Sequence, residues 1–191
     1  MGDSFRYYKP LIERHCVFID CETTGTIPHY HEIIEIAVIT PERESCIRTQ
    51  MKHPERAARQ ALEVNGYSKE KWANAVPFEK IAHRVVSYLS DCIIVGHNVQ
   101  FDIAFIKEAC RRCNVDSENI SHAVIDTQTL AIQHLVPKGL KRLKLQAVAK
   151  FLGIPFEEDD LHTALEDTRL AKSVYEKMQL VINEPKQMSL I

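Results

Sequence analysis

The stretch "FIDCETTG", Phe18–Gly25, places two carboxylates, Asp20 and Glu22, between an apolar run and a glycine turn. Side chains alternate faces along a strand, so the pair shares one face if the strand runs through it. Two like charges that close raise each other's pKa unless a cation sits between them. A cluster of oxygen ligands suits a hard ion such as Mg²⁺ or Mn²⁺. Similar pairs also end ordinary solvated strands, so the reading turns on whether the rest of the chain supplies more ligands.

Working outward, His15–Asp20 reads as a buried strand, "HEIIEIAVI" (31–39) as a second and 45–51 as a third. A short helix is expected over 55–64, ended by Asn65-Gly66. Phe78, Ile81, Ala82, Val85, Val86 and Leu89 mark one apolar helix face. "CIIVG" (92–96) and 123–126 read as short strands, with helices over 101–113, 127–135, 143–152 and about 164–181. A meander followed by alternating strands and helices predicts a mixed α/β sheet with helices packed on it.

Two further acidic motifs stand at element boundaries. In "VGHNVQFD", Gly96, His97 and Asn98 end a strand, and Phe101-Asp102 opens a helix. Ligands of open α/β sheets bind at the carboxyl ends of strands, although an Asp there also complements a helix dipole. In "HTALED" (162–167), Thr163 and Glu166 fit a capping box. His162 then lies in the preceding loop and Asp167 in the first turns. A loop histidine titrates near neutrality, as a general base for water should. Four carboxylates at strand ends and helix starts could bind two divalent ions about 4 Å apart, the arrangement used for in-line displacement at phosphate.

In order, "FIDCETTG", "GHNVQFD" and "HTALED" resemble the three motifs of the DEDDh 3′→5′ exonucleases, the DnaQ-like group that includes a bacterial replicase's proofreading subunit. The match runs from about Val17 to Lys172. The sister branch has a tyrosine four residues before its last aspartate, where this chain has Thr163. The resemblance implies a ribonuclease-H-like α/β fold: a mixed five-stranded sheet with flanking helices. It implies two-metal hydrolysis from a 3′ end with two Mg²⁺ or Mn²⁺ ions, releasing nucleoside 5′-monophosphates. Asp20, Glu22 and Asp167 would hold one metal, Asp20 and Asp102 the other, and His162 would be the general base. Glu22 and the backbone N–H of Thr23 would bind the terminal 3′-OH. Phe101 would pack near the last sugar and base, with Asn98 supporting the site. The family's bulky apolar wedge just after the glycine is replaced by Thr26, with Ile27 next.

Composition agrees with a soluble enzyme. The 191 residues are 45% apolar and 26% charged, with net charge −2, which excludes binding nucleic acid by bulk charge alone but not a local basic patch. No apolar run approaches a membrane span and the N-terminus has no apolar core, so a cytoplasmic protein is expected. Cys16, Cys21, Cys46, Cys92, Cys110 and Cys113 read mostly as small buried hydrophobes. Cys110-x-x-Cys113 has no second ligand pair at zinc spacing. "KGLKRLKL" gathers Lys138, Lys141, Arg142 and Lys144, either a phosphate contact or a solvated face. His29 and His31 read as polar loop residues near the substrate mouth.

The organisation expected is an exonuclease domain over 1–182 and a short tail, 183–191. Gln187–Ile191, "QMSLI", resembles the pentapeptide by which bacterial replication proteins dock on the β sliding clamp. The expected substrate is a single-stranded DNA 3′ end, with a polymerase subunit or clamp as partner. The competing readings are a 3′→5′ exoribonuclease and a non-catalytic binding module.

Overall fold

The computed structural model describes residues 10–157 and 163–183. Strands β1 (Cys16–Thr23), β2 (Ile33–Ile39) and β3 (Glu44–Arg48) form an antiparallel meander. Strands β4 (Ile93–Gly96) and β5 (Val124–Asp126) add in parallel beside β1, giving the order β3-β2-β1-β4-β5. The helices are α1 (Arg59–Val64), α2 (Ala82–Tyr88), α3 (Val99–Arg112), α4 (Thr127–His134), α5 (Leu145–Phe151) and α6 (Ala164–Asn183).

Alternation along β1 divides its side chains between two layers. Val17, Ile19 and Cys21 join a core with Val85 and Leu89 of the α2 region and Ile103, Phe105 and Ile106 of α3. Phe18 faces the other way, packing with Ile39, Val95 and, from α6, Leu165 and Tyr175. Its ring meets Tyr175 edge-on at 5.7 Å. Burial of each large side chain is worth about 1.5–3 kcal/mol. By the same alternation Asp20 and Glu22 follow Phe18 onto the α6 side. A further core joins α4, α5 and α6 through Ala131, Leu135, Leu145, Val148, Leu170 and Val174.

Several elements are shorter than their sequence patterns suggest, three of them for an evident tertiary reason. The stretch over 55–64 splits into a 3₁₀ turn, Pro54–Arg56, and α1, because Ala58 is extended and gives its N–H to the Thr24 carbonyl at 2.7 Å. The helix expected from Leu143 starts at Leu145, with Lys144 extended and the Leu143 carbonyl accepting from His97. The third strand stops at Arg48, after which Thr49 bridges Val76 instead.

Cys110 is fully buried, and burial pushes its thiol up to about 11. Cys113 donates back to the Ala109 carbonyl, a helix-local bond. Among the described residues, no helix is long and apolar enough to cross a membrane. The tail peptide Gln187–Ile191 lies outside the described residues.

Candidate metal centre

Thr163 begins α6 as its cap, its hydroxyl accepting the Glu166 N–H at 3.3 Å. That start sets Asp167 in the first turns, over the face of β1 that carries Asp20 and Glu22. One carboxylate oxygen from each of Asp20, Glu22 and Asp167 lies within 4.8 Å of the others. Asp102 comes from the opposite layer: it is buried in the first turn of α3 and accepts the Cys21 N–H at 2.9 Å. This bond ties α3 to the strand between the two acidic positions. Asp102 stands outside the close triple, and His162 lies outside the described residues.

The electrostatics of the cluster are one-sided. Burial, then the charges of Asp102, Asp167, Glu22 and Glu35, push Asp20 well above the usual carboxylate range. Glu22 is pushed up to about 8, first by burial and then by Asp167 and Glu35. Asp102 is also raised by burial, against the opposing pull of the Cys21 N–H. Oxygen ligands that repel one another and approach to this spacing fit a hard divalent cation.

Glu35 was not singled out by sequence reasoning, although a lone charge in "IIEIAVI" was its signal. It faces Glu22 across the β1–β2 pair and is 1% exposed. Its carboxylate accepts from Arg48 Nε at 2.9 Å, from the Cys46 thiol at 3.3 Å and from the Ala164 N–H at 3.2 Å. The last bond fixes the N-terminus of α6 to β2, and a carboxylate there also complements the helix dipole. Glu35 thus helps hold the start of α6, and with it Asp167, above the sheet.

Beside the carboxylates lies a cleft of about 530 Å³ lined by Glu22, Thr23, Thr26, Phe101 and, on the α1 side, Gln60, Ala61, Val64 and Asn65. Thr23 uses its hydroxyl on the Gly25 carbonyl at 2.7 Å, while its own carbonyl accepts Asn65 Nδ2 at 3.1 Å. Thr26 is exposed, and Ile27 beside it is 43% exposed. His31 lines this cleft from beneath the turn, largely buried, with Nδ1 accepting the Ile27 N–H at 3.0 Å. A Cβ at Gly25 would fall 2.3 Å from His31 Nε2, so only glycine fits there. Phe101 packs on Phe105 with centroids 4.7 Å apart.

Asn98 takes a left-handed φ of 63°, which asparagine tolerates, and gives its N–H to Asp126 at 2.9 Å. That geometry turns the chain sharply from β4 into α3, and so aims Asp102 at β1. Asp126, read only as a strand end in the sequence, is the partner that holds the turn.

A mixed five-stranded sheet with clustered carboxylates beside its central strands defines a ribonuclease-H-like domain. The exonuclease family model (RNase_T) matches residues 17–175. The chain is 31% identical over 163 residues to the PolC-type DNA polymerase III of Thermotoga maritima, covering 83% of this chain and 11% of that protein. It is 31% identical over 182 residues to the 3′-5′ exonuclease DinG of Staphylococcus epidermidis, covering 89% of this chain and 19% of that protein. Among solved structures it resembles E. coli Exonuclease I in complex with a dT13 oligonucleotide, with TM-score 0.74 and 18% identity over 88% of this chain and 41% of that one. The chain belongs to the exonuclease family. It spans less than a fifth of the length of these two curated relatives.

Proposed function

We propose that this domain is a metal-dependent 3′→5′ exonuclease that removes nucleoside 5′-monophosphates from single-stranded DNA ends. The observation behind it is the convergence of Asp20, Glu22 and Asp167 from two separate elements to within 4.8 Å, with burial and mutual repulsion raising Asp20 and Glu22. Family membership, the name of the DinG relative and the oligonucleotide in the Exonuclease I structure support the same reading.

Asp20, Glu22 and Asp167 would hold one Mg²⁺ or Mn²⁺ ion, and Asp20 with Asp102 a second. When bound, such ions neutralise charge building up at the scissile phosphate and on the leaving oxygen. The chain's own groups do the positioning. Glu22 and the Thr23 backbone would orient the terminal 3′-OH, and Phe101 would pack against the last nucleoside in the cleft. Asn98 would keep Asp102 in place through the turn it forms. His162 would accept the proton of the attacking water as the P–O bond to the leaving 3′ oxygen breaks.

The test is incubation with Mn²⁺ or Mg²⁺ and 5′-labelled DNA and RNA oligomers of equal sequence. A ladder shortening from the 3′ end, faster on DNA, is expected. Faster shortening of RNA would move the substrate to RNA, and tight binding with no shortening of either would leave only a binding module. Gln187–Ile191 is proposed to dock the domain on a sliding clamp or polymerase; its deletion should abolish clamp binding and leave hydrolysis intact.

A further inference from the structure

The connection between α4 and α5 carries a charge distribution unlike that of the rest of the surface. From Thr127 to Phe156 the chain holds Lys138, Lys141, Arg142, Lys144 and Lys150 and no Asp or Glu, in a protein of net charge −2. Lys138, Lys141, Arg142 and Lys144 are all exposed. None of these four makes an ion pair among the described residues. Several other exposed cations are matched, Arg59 with Glu63, Arg111 and Arg112 with Glu108, and Arg169 with Glu44 and Glu166, while ones unpaired among the described residues, such as Lys80 and Arg84, stand outside any such acid-free stretch. Lys144 also sits at the N-cap of α5, where a cation opposes the helix dipole. In the free protein this grouping is unfavourable on both counts.

The segment is nevertheless held in one place. Leu140 and Leu145 are buried on either side of Lys141–Lys144. Between them, the Leu143 carbonyl accepts from His97 Nε2 at 2.6 Å. The other ring nitrogen of His97 lies 2.9 Å from Thr127 Oγ1, whose hydroxyl donates to the Gly96 carbonyl at 3.0 Å. His97 directly follows β4, at the turn that leads into Asp102. The basic segment is therefore pinned to the end of the sheet where the carboxylates stand, on the β4–β5 side, whereas the cleft lies on the α1 side.

We propose that Lys138, Lys141, Arg142 and Lys144 form a track for the phosphate backbone of the single strand behind its 3′ end, with His97 as the residue that positions it. This rests on the nuclease reading for its substrate. It assigns the strand a direction: terminal nucleotide in the cleft by Phe101, the preceding phosphates over β4 towards the α4–α5 connection. Unpaired cations and anionic phosphates release counterions when they meet, so the contact leaves a salt signature.

The experiment uses the full chain in EDTA, with binding of a 5′-fluorescein dT12 followed by anisotropy at several salt concentrations. In the variant Lys141→Gln/Arg142→Gln/Lys144→Gln, Kd at low salt should rise about tenfold or more, and the slope of log affinity against log salt should fall by about 2, at roughly 0.7 per lost contact. Arg84→Gln, an exposed charge on α2, should change the slope by less than half a unit. In metal-loaded protein, turnover of the p-nitrophenyl ester of thymidine 5′-monophosphate should be unchanged in the triple variant while kcat/KM for dT12 falls. Unchanged dT12 affinity and slope in the triple variant would overturn the track. If the unaltered protein hydrolysed neither the ester nor dT12, the nuclease reading would fall, while the anisotropy result would still decide whether the track exists.

Discussion

Glu22 and Glu35 stand opposite each other on neighbouring strands, and they are carboxylates of contrasting kinds. Glu35 is sealed in the protein with three donors: a guanidinium, a thiol and a helix N–H. Glu22 sits among other carboxylates, and each charge acting on it raises its pKa. Like charges directly opposite on a strand pair are destabilising. One side of the pair is satisfied by the protein itself and serves the fold. The other is left in a repulsive state that a bound cation would relieve, as the proposed site requires.

Opposite responses to loss of charge should separate the two. Asp20→Asn removes a carboxylate from the repulsive group, so oligonucleotide hydrolysis should fall by about a thousandfold or more. The same change should stabilise the metal-free protein by on the order of 1–2 kcal/mol in urea unfolding, because one of the clustered charges is gone. A substitution that both disables and stabilises is hard to produce in a purely structural residue; destabilisation by Asp20→Asn would erase the distinction.

Glu35→Gln should act the other way round. Arg48 loses its ionised partner and the tie to α6 weakens, so stability should fall by about 2–3 kcal/mol. Arg48 is itself 42% exposed and can turn to water, which keeps the cost below that of a fully buried pair. A loss of less than roughly 0.5 kcal/mol, the size of an ordinary surface change, would mean that Glu35 does not hold the helix.

The pH dependence sharpens the same contrast. The folded pKa of Glu22, about 8, lies above its ordinary 4.5, so the folded chain holds more protons than the unfolded chain between those values. Its contribution is full below about pH 4.5 and is lost as pH rises through about 8. Metal-free protein should therefore lose on the order of 3 kcal/mol from pH 5.5 to 8, a slope that Glu22→Gln flattens. Saturating Mn²⁺ should reverse the slope by favouring the ionised carboxylates. The smallest effect belongs to the surface: Glu44→Gln breaks the exposed pair with Arg169 and should cost less than about 1 kcal/mol.

Much of this layout was legible in the chain because it rests on local regularities. Val17, Phe18 and Ile19, or the spacing of Ile81, Val85 and Leu89, state a period that burial then satisfies. Asp20, Glu22, Asp102 and Asp167 were singled out through three ordered motifs, since no local rule links positions about 80 and 150 residues apart. What escaped notice depends on contacts between distant segments. Glu35 in its strand looks like any polar break in an apolar run until Ala164 and Arg48 arrive beside it. Ala58 and Leu143 fall out of helices because Thr24 and His97 bond to them. His31, read as a polar residue at the mouth, does line the cleft, but its burial and its bond to the Ile27 N–H were not legible in the chain.

The most direct test of the acidic cluster is Mn²⁺ binding measured by calorimetry at pH 7.5 on the unaltered protein, Asp20→Asn and Glu35→Gln. A cluster shaped for a cation requires binding by the unaltered protein, loss of that binding in Asp20→Asn, and its persistence, weakened, in Glu35→Gln wherever that variant is folded. Equal Mn²⁺ affinity in the unaltered protein and Asp20→Asn, or no binding by either, would contradict it.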